Sequence, residues 1–143
     1  MDFDIKFEGL DKIIDKIEDF DDVREMTSAM QDACNLVEGA AKDKAPKDTG
    51  ALRRSIKSKV EVTGNTIEGI VFTPLEYAPY VEYGTGLFAE NGNGRKTPWV
   101  YMDDKGNYHY TRGQHPQPYM RPALEENKDE IIQIISDSIK SRN

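Results

Sequence analysis

Three prolines within seven positions, Pro116, Pro118 and Pro122, constrain this chain more than any other feature. Each proline restricts one backbone angle and removes a hydrogen-bond donor, so the stretch cannot lie in the interior of a helix or a sheet. Proline is tolerated in the opening turn of a helix. Residues 113–124 therefore predict a stiff turn that leads directly into a helix, with Tyr119 and Met120 as the first side chains to be buried.

An earlier stretch, Tyr80–Gly86, combines three aromatic or aliphatic side chains, one carboxylate and two glycines. Glycine adopts backbone angles that other residues avoid, which predicts a tight turn after a short helix or turn at 77–83. Residues 84–97 are rich in Gly and Asn. Such a composition offers little to bury, so we predict a mobile loop there that becomes ordered against a partner.

The apolar spacing along the rest of the chain predicts an α+β fold. A long N-terminal helix should begin at Asp21-Asp22 and end near Ala45, because Pro46 disfavours the helical conformation in the residue before it. Strands are predicted at 3–7, 52–62 and 66–73, and a hairpin at 99–111. We expect one antiparallel sheet of about four to five strands.

The C-terminal helix should pack on this sheet together with the N-terminal helix. Its predicted apolar stripe consists of Leu124, Ile131, Ile132, Ile135 and Ile139. A chain of 143 residues fits a single domain, so we expect 1–143 to fold as one unit. No apolar run approaches the length of a membrane span, and the chain starts without signal-peptide features, so we expect no membrane contact.

The net charge of −7 is unevenly distributed. Residues 1–25 hold ten acids and four bases, whereas residues 42–60 hold seven bases and two acids. An acidic protein does not attract nucleic acid through its overall field. The segment 42–60 still permits a small DNA-binding protein as an alternative. The simpler interpretation is a solvated face, or a contact with the acidic part of a neighbouring subunit.

Candidate catalytic groups are few. The strongest enzymatic alternative is a small metal-dependent hydrolase or nuclease that uses Glu82, Asp103 and His109. His109 and His115 straddle a turn, however, and lack the tight spacing of metal-ligand pairs. Glu82 is more readily a structural or contact carboxylate that holds loop amides or Arg121. We therefore expect no enzyme activity, no cofactor and no metal.

Two further features also favour a non-catalytic role. Residues 92–97 depart from the phosphate-binding loop pattern, because Arg95 intrudes before Lys96 and no helix-forming run follows. Cys34 lies beside the apolar stripe of the long helix, as is typical of a small buried hydrophobe.

Three motifs occur in order: Ala-Pro-x-Asp-Thr-Gly-x-Leu-x-x-Ser-Ile at 45–56, Tyr-Val-Glu-x-Gly-Thr at 80–85, and Gln-x-Pro-x-Pro-Tyr-Met-x-Pro-Ala at 114–123. Together they resemble a family of bacteriophage neck proteins, the head–tail connector or tail-completion components of phages with long non-contractile tails. The motifs span well over half of the chain.

This resemblance implies a structural virion protein that forms a ring, six copies being the first choice and twelve the second. The implied partners are further copies, head-completion or adaptor proteins, and tail-terminator or tail-tube proteins. DNA would pass through the lumen without sequence-specific binding, and assembly would take place in the host cytoplasm. The residues that the motifs mark for structure or contact are Pro46, Thr49, Gly50, Tyr80, Glu82, Tyr83, Gly84, Thr85, Gln114, Pro116, Pro118, Tyr119 and Pro122.

Overall fold

A computed structural model describes residues 3–6, 20–47, 50–63, 66–103 and 105–140. The order of elements in this part of the chain is β1 (Phe3–Lys6), α1 (Phe20–Lys44), α2 (Ala51–Ser55), β2 (Lys57–Thr63), β3 (Thr66–Thr73), α3 (Ala78–Tyr83), a 3-10 turn (Gly86–Phe88), β4 (Trp99–Met102), β5 (Tyr108–Thr111), α4 (Met120–Glu125) and α5 (Lys128–Lys140). The α+β class predicted from the apolar spacing is confirmed.

The strands form two antiparallel sheets, where the sequence predicted one sheet of four to five strands. β3 lies between β1 and β2, with Phe3 opposite Thr73 and Lys57 opposite Phe72. β4 and β5 pair with each other as a separate ribbon. The prediction of a single sheet was wrong because the alternation of apolar and polar residues shows which face of a strand is buried, but not which strands pair along their edges.

The central position of β3 follows from its composition. Gly69, Ile70 and Val71 are consecutive buried residues, so both faces of the strand are covered. β2 has no fully buried residue, and its charged side chains, among them Lys57, Lys59 and Glu61, suit an edge strand that must not pair with other chains.

Helix α1 supplies much of the core. Its buried side chains recur at helical spacing and contact β2, β3, α4 and α5; they are Met26, Ala29, Met30, Ala33, Cys34, Val37 and Ala41. The helix ends at Lys44, and the amide of Ala45 still donates to the carbonyl of Ala41 at 2.9 Å. The predicted stop before Pro46 is therefore confirmed.

The segment after Gly50 corrects the predicted strand 52–62. Ala51–Ser55 is helical, and the strand begins only at Lys57. Leu52 and Ile56 are both buried, as predicted. They are four residues apart, a spacing that one helical turn satisfies as well as a strand face does, so periodicity alone could not separate the two. Val62, predicted to share their face, is exposed.

The C-terminal helix is divided. α4 ends at Glu125, Asn127 donates its side-chain amide to the carbonyl of Ala123 at 2.7 Å, and α5 begins at Lys128. Ile131 and Ile135 are buried as predicted, but Ile132 is 47% exposed and Leu124 is only partly buried. Leu124, Ile131 and Ile135 therefore face the core as predicted, and Ile132 is the member of the predicted stripe that the structure places on the exposed side. The side chain of Ile139, the predicted residue Phe7 and the motif residue Thr49 lie outside what the structure describes.

Two isoleucines on α5 provide a matched test of the core. Ile135→Ala removes a fully buried side chain and should lower the free energy of unfolding by about 2–5 kcal/mol. Ile132→Ala, three residues away on the exposed side, should change it by less than about 0.5 kcal/mol. Urea unfolding of both variants measures the difference. Equal losses would contradict the assignment of the buried face.

Candidate protein-contact site around the buried Glu82

Glu82 is a fully buried acidic residue on α3, and both oxygens of its carboxylate accept hydrogen bonds. Oε1 accepts from the backbone amides of Tyr119 at 3.2 Å and Met120 at 2.7 Å. Oε2 accepts from the Nε of Arg121 at 3.0 Å and more weakly from its backbone amide at 3.4 Å. The first amides of a helix have no partner within the helix. Glu82 therefore caps α4 from 37 or more residues away in sequence.

Arg121 joins two carboxylates. Beyond Glu82, its terminal nitrogens form a bidentate pair with Glu90, at 3.1 and 2.7 Å, and its guanidinium lies 4.6 Å from the ring centre of Tyr83. The hydrogen bond from Arg121 lowers the pKa of the Glu90 carboxyl, and the same bond raises the pKa of Arg121. Bidentate Arg–carboxylate pairs restrict geometry as well as contributing energy. The loop that carries Glu90 is thus tied to α4.

The Pro-rich junction is attached to α3 at two further points. The hydroxyl of Tyr119 donates to the carbonyl of Ala78 at 3.1 Å, and the amide of Gln117 donates to the carbonyl of Val81 at 2.8 Å. Tyr119 and Met120 are fully buried, which confirms the prediction that they are the first to be covered. Burial raises the pKa of the Tyr119 phenol. Pro122 lies in the first turn of α4, as predicted for a proline in this position.

The Gly84–Gly86 turn packs directly on residues 112–116. The amide of Thr85 donates to the carbonyl of Gln114 at 2.9 Å, and the amide of Gln114 donates back to the Thr85 hydroxyl at 2.9 Å. Gly84 has φ +82, and a Cβ there would meet the carbonyl of Gln114 at 2.9 Å and the Cδ of Pro116 at 2.9 Å. Glycine is therefore required for conformation and for space.

These contacts bring together two of the three sequence motifs, 80–85 and 114–123. Pro46 and Gly50, from the first motif, lie at the connection between α1 and α2 instead, and the hydrogen bonds of the Glu82 network do not include them. The sequence suggested Arg121 as a partner of Glu82, and the structure agrees. It gave no signal for Glu90, because a glutamate in a Gly/Asn-rich loop looks like any solvated charge.

Glu82 itself cannot touch a partner, which corrects the expectation that it lies at a contact. Its neighbours on α3 can: Tyr80 is 59% exposed and Tyr83 is 37% exposed. The mobility of 84–97 stays a prediction. Within that loop, Leu87 donates to the carbonyl of Arg112 at 3.0 Å and Glu90 donates to the carbonyl of Tyr83 at 2.8 Å, so its first half is held by backbone bonds.

Beside Tyr80 and Tyr83 lies a half-open groove of about 550 Å³, hereafter the aromatic groove. Trp99 also lines this groove, and the guanidinium of Arg95 lies 5.5 Å from its ring centre. The groove is lined by Pro79, Tyr80, Tyr83, Gly84, Thr85, Gly86, Ala89, Asn91, Asn93, Gly94, Arg95 and Trp99. Tyr, Trp and Arg are enriched at protein interfaces, so this lining suits protein contact.

The residues of the enzymatic alternative lie in two separate networks. Asp103 pairs with Nε2 of His109 at 2.7 Å and accepts the amides of Lys105 and Asn107, so it organises the hairpin turn. These bonds, the one to His109 first, lower the pKa of the Asp103 carboxyl. Glu82 bonds to α4 instead. In the described ranges, no group of three or more His, Cys, Asp and Glu residues has a metal-binding arrangement.

The single cysteine is unsuited to nucleophilic chemistry. Cys34 is buried on α1, and burial raises the pKa of its thiol to about 12. A thiol with such a pKa is not ionised at neutral pH, and the thiolate is the reactive form. The structure places Cys34 among core side chains, as the sequence indicated.

The basic segment 42–60 is partly neutralised by the chain's own acids. Lys42 pairs with Glu38, Lys44 with Glu126, Arg53 with Asp43, and Lys59 with Glu61. These neighbours weaken the positive field that DNA binding would require. Among the helices that the structure describes, none combines the length and the apolar character needed to cross a bilayer.

The fold and the site define a small α+β protein in which buried ionic contacts hold an aromatic groove in place. The chain belongs to the family described as "Bacteriophage HK97-gp10, putative tail-component", whose model matches residues 8–84. It is therefore a phage tail component, a constituent of the virion that works with other phage structural proteins. Neither the curated proteins nor the solved structures yield a match.

Removing the carboxylate of Glu82 should destabilise the protein strongly. Glu82→Ala leaves two buried backbone amides without an acceptor, at about 1–3 kcal/mol for each, while Arg121 keeps its pair with Glu90. Glu90→Ala breaks an exposed ion pair, which solvent screens, and should cost far less than Glu82→Ala. Thermal and urea unfolding of the two variants compare them. A Glu82→Ala protein that unfolds like the parent would show that the cap on α4 contributes little.

Two glycines with similar φ values allow the cost of backbone strain to be separated from the cost of a steric clash. Gly84 (φ +82) is enclosed, whereas Gly92 (φ +75) has open space around it. Alanine at either position must adopt a positive φ, which costs about 1–3 kcal/mol. Gly84→Ala should lose clearly more stability than Gly92→Ala, because its Cβ also meets the carbonyl of Gln114 and the ring of Pro116. Similar losses of unfolding free energy in a denaturant titration would mean that the Gly84 turn can shift to accommodate a Cβ at little cost.

Proposed function

We propose that this tail component is a ring-forming subunit at the phage neck or the top of the tail, where it takes part in head-to-tail joining and tail completion. Six copies are the first choice and twelve the second. Its neighbours would be head-completion or adaptor proteins on one side and tail-terminator or tail-tube proteins on the other. DNA would pass through the lumen without sequence-specific contacts, and assembly would occur in the host cytoplasm. The role is structural, without catalysis.

The observation that carries the proposal is the aromatic groove in a member of a phage tail-component family. Tyr80 and Tyr83 are exposed, yet the helix that bears them is bound to α4 through the buried Glu82. A helix that is already held in place loses little conformational entropy when a partner binds its exposed side chains. This arrangement suits repeated contacts between identical subunits.

The distribution of charge along the sequence supports head-to-tail contacts within a ring, although four bases of 42–60 are already paired with acids of the same chain. Acids predominate in 1–25 and bases in 42–60. Complementary potentials orient subunits and increase the rate of encounter. When two different surfaces of the same chain meet, the contact repeats around a rotation axis and closes a ring if the rotation allows it.

A groove variant tests the role in assembly. Tyr80→Ala removes an exposed side chain, so the melting temperature should stay near that of the parent, while the yield of particles with joined tails should fall several-fold. Val62→Ala, exposed on β2 and away from the groove lining, is the matched control and should leave the yield unchanged. Electron microscopy of particles made with each variant counts tailed and tailless heads. Unchanged tail joining with Tyr80→Ala would argue against the groove as an assembly surface.

The ring itself requires a reconstruction of the neck. We expect copies of this chain arranged with six-fold or twelve-fold symmetry around the channel. A reconstruction that contains one isolated copy, or none in the neck, would overturn the ring proposal.

A further inference from the structure

The β4–β5 ribbon presents one apolar face that the rest of the described chain does not cover. Its register places Val100 opposite Tyr110 and Met102 opposite Tyr108. These four side chains, here called the hairpin face, are 60%, 68%, 60% and 75% exposed, respectively. The two strands pack chiefly on each other. An isolated two-stranded hairpin is marginal in water, and clustered exposed apolar side chains mark interaction surfaces.

The hairpin face cannot fill the aromatic groove of its own chain. Trp99 lines that groove and is the first residue of β4. Successive side chains of a strand point to opposite faces, so Val100 and Met102 lie on the side of the ribbon away from Trp99. The apolar ribbon and the apolar groove therefore adjoin in one chain but can meet only between two chains.

The charges at the two surfaces are complementary. The hairpin turn carries the Asp103 carboxylate, which is held ionised by His109 and two backbone amides. The groove is bordered by Arg95, whose guanidinium donates to the hydroxyl of Thr97 and lies over Trp99. Within the described residues, no carboxylate forms an ion pair with Arg95. An acidic turn entering a groove with a cationic border is electrostatically favourable.

We propose that the hairpin of one copy docks in the aromatic groove of the next copy, with the hairpin face against the tyrosine wall and the Asp103 turn towards Arg95. The contact joins two different surfaces and so propagates from subunit to subunit. It rests on the proposed ring function and names the two surfaces that such a ring would use.

Cysteine cross-linking tests this pairing directly. One chain carries Tyr110→Cys on the hairpin face, and a second, differently tagged chain carries Asn91→Cys at the groove. The two are mixed at high concentration and oxidised. The parent chain, with only the buried Cys34, is the blank. Val62→Cys replaces Tyr110→Cys as the matched control, because Val62 is also an exposed strand residue. The hairpin–groove mixture should give several-fold more mixed disulfide dimer than the control mixture.

The same cysteines are then combined in one chain and oxidised in assembled particles, where cross-linked ladders of this chain are expected. Hairpin cysteines that link only to each other would overturn the groove as the acceptor. Links to a different virion protein would overturn docking between copies, and so would the absence of mixed product both in solution and in particles. A ring in the neck without hairpin–groove links leaves the proposed function standing and refutes this contact. Hairpin–groove links without a ring in the neck would support this contact and refute the proposed function.

Discussion

The buried carboxylate of Glu82 is the interaction on which the surrounding structure depends. An ionised group without solvent is costly unless hydrogen bonds and a counter-charge compensate it. Here two backbone amides at the start of α4 and the guanidinium of Arg121 provide that compensation. The carboxylate therefore fixes α3 against α4. If either helix moved, buried polar groups would lose their hydrogen-bond partners.

One consequence is that a surface loop acquires a defined position. Arg121 holds Glu82 inside the protein and Glu90 outside it, and its guanidinium lies over Tyr83. The ionic contact reaches from the core to the wall of the aromatic groove. The glycine turn at Gly84 completes this arrangement, because only a residue without a side chain lets the loop approach Gln114 so closely. In the proposed role, a tyrosine-bearing helix that is already in place would bind a partner at a smaller entropic cost.

The separation of the hairpin from the main sheet gives the chain a second surface. β1 and β2 are the edge strands of the three-stranded sheet, and charged side chains protect the edge at β2. The β4–β5 ribbon instead exposes Val100, Met102, Tyr108 and Tyr110. The charged side chains of the β2 edge disfavour indiscriminate pairing of strands, and the apolar ribbon suits the contact proposed for it.

The sequence by itself determined the elements whose signals are local. The stop of α1 before Pro46, the strand at 66–73, the hairpin at 99–111 and the burial of Tyr119 and Met120 all followed from proline geometry and apolar patterning. The resemblance of the motifs also led to the correct family. Only the tertiary structure decided that Leu52 lies in a helix, that the strands divide into two sheets, and that Glu82 is buried with Glu90 as the outer partner of Arg121. These features depend on which distant residues meet: a four-residue spacing fits helix and strand alike, and a carboxylate becomes structural only when amides from another element surround it.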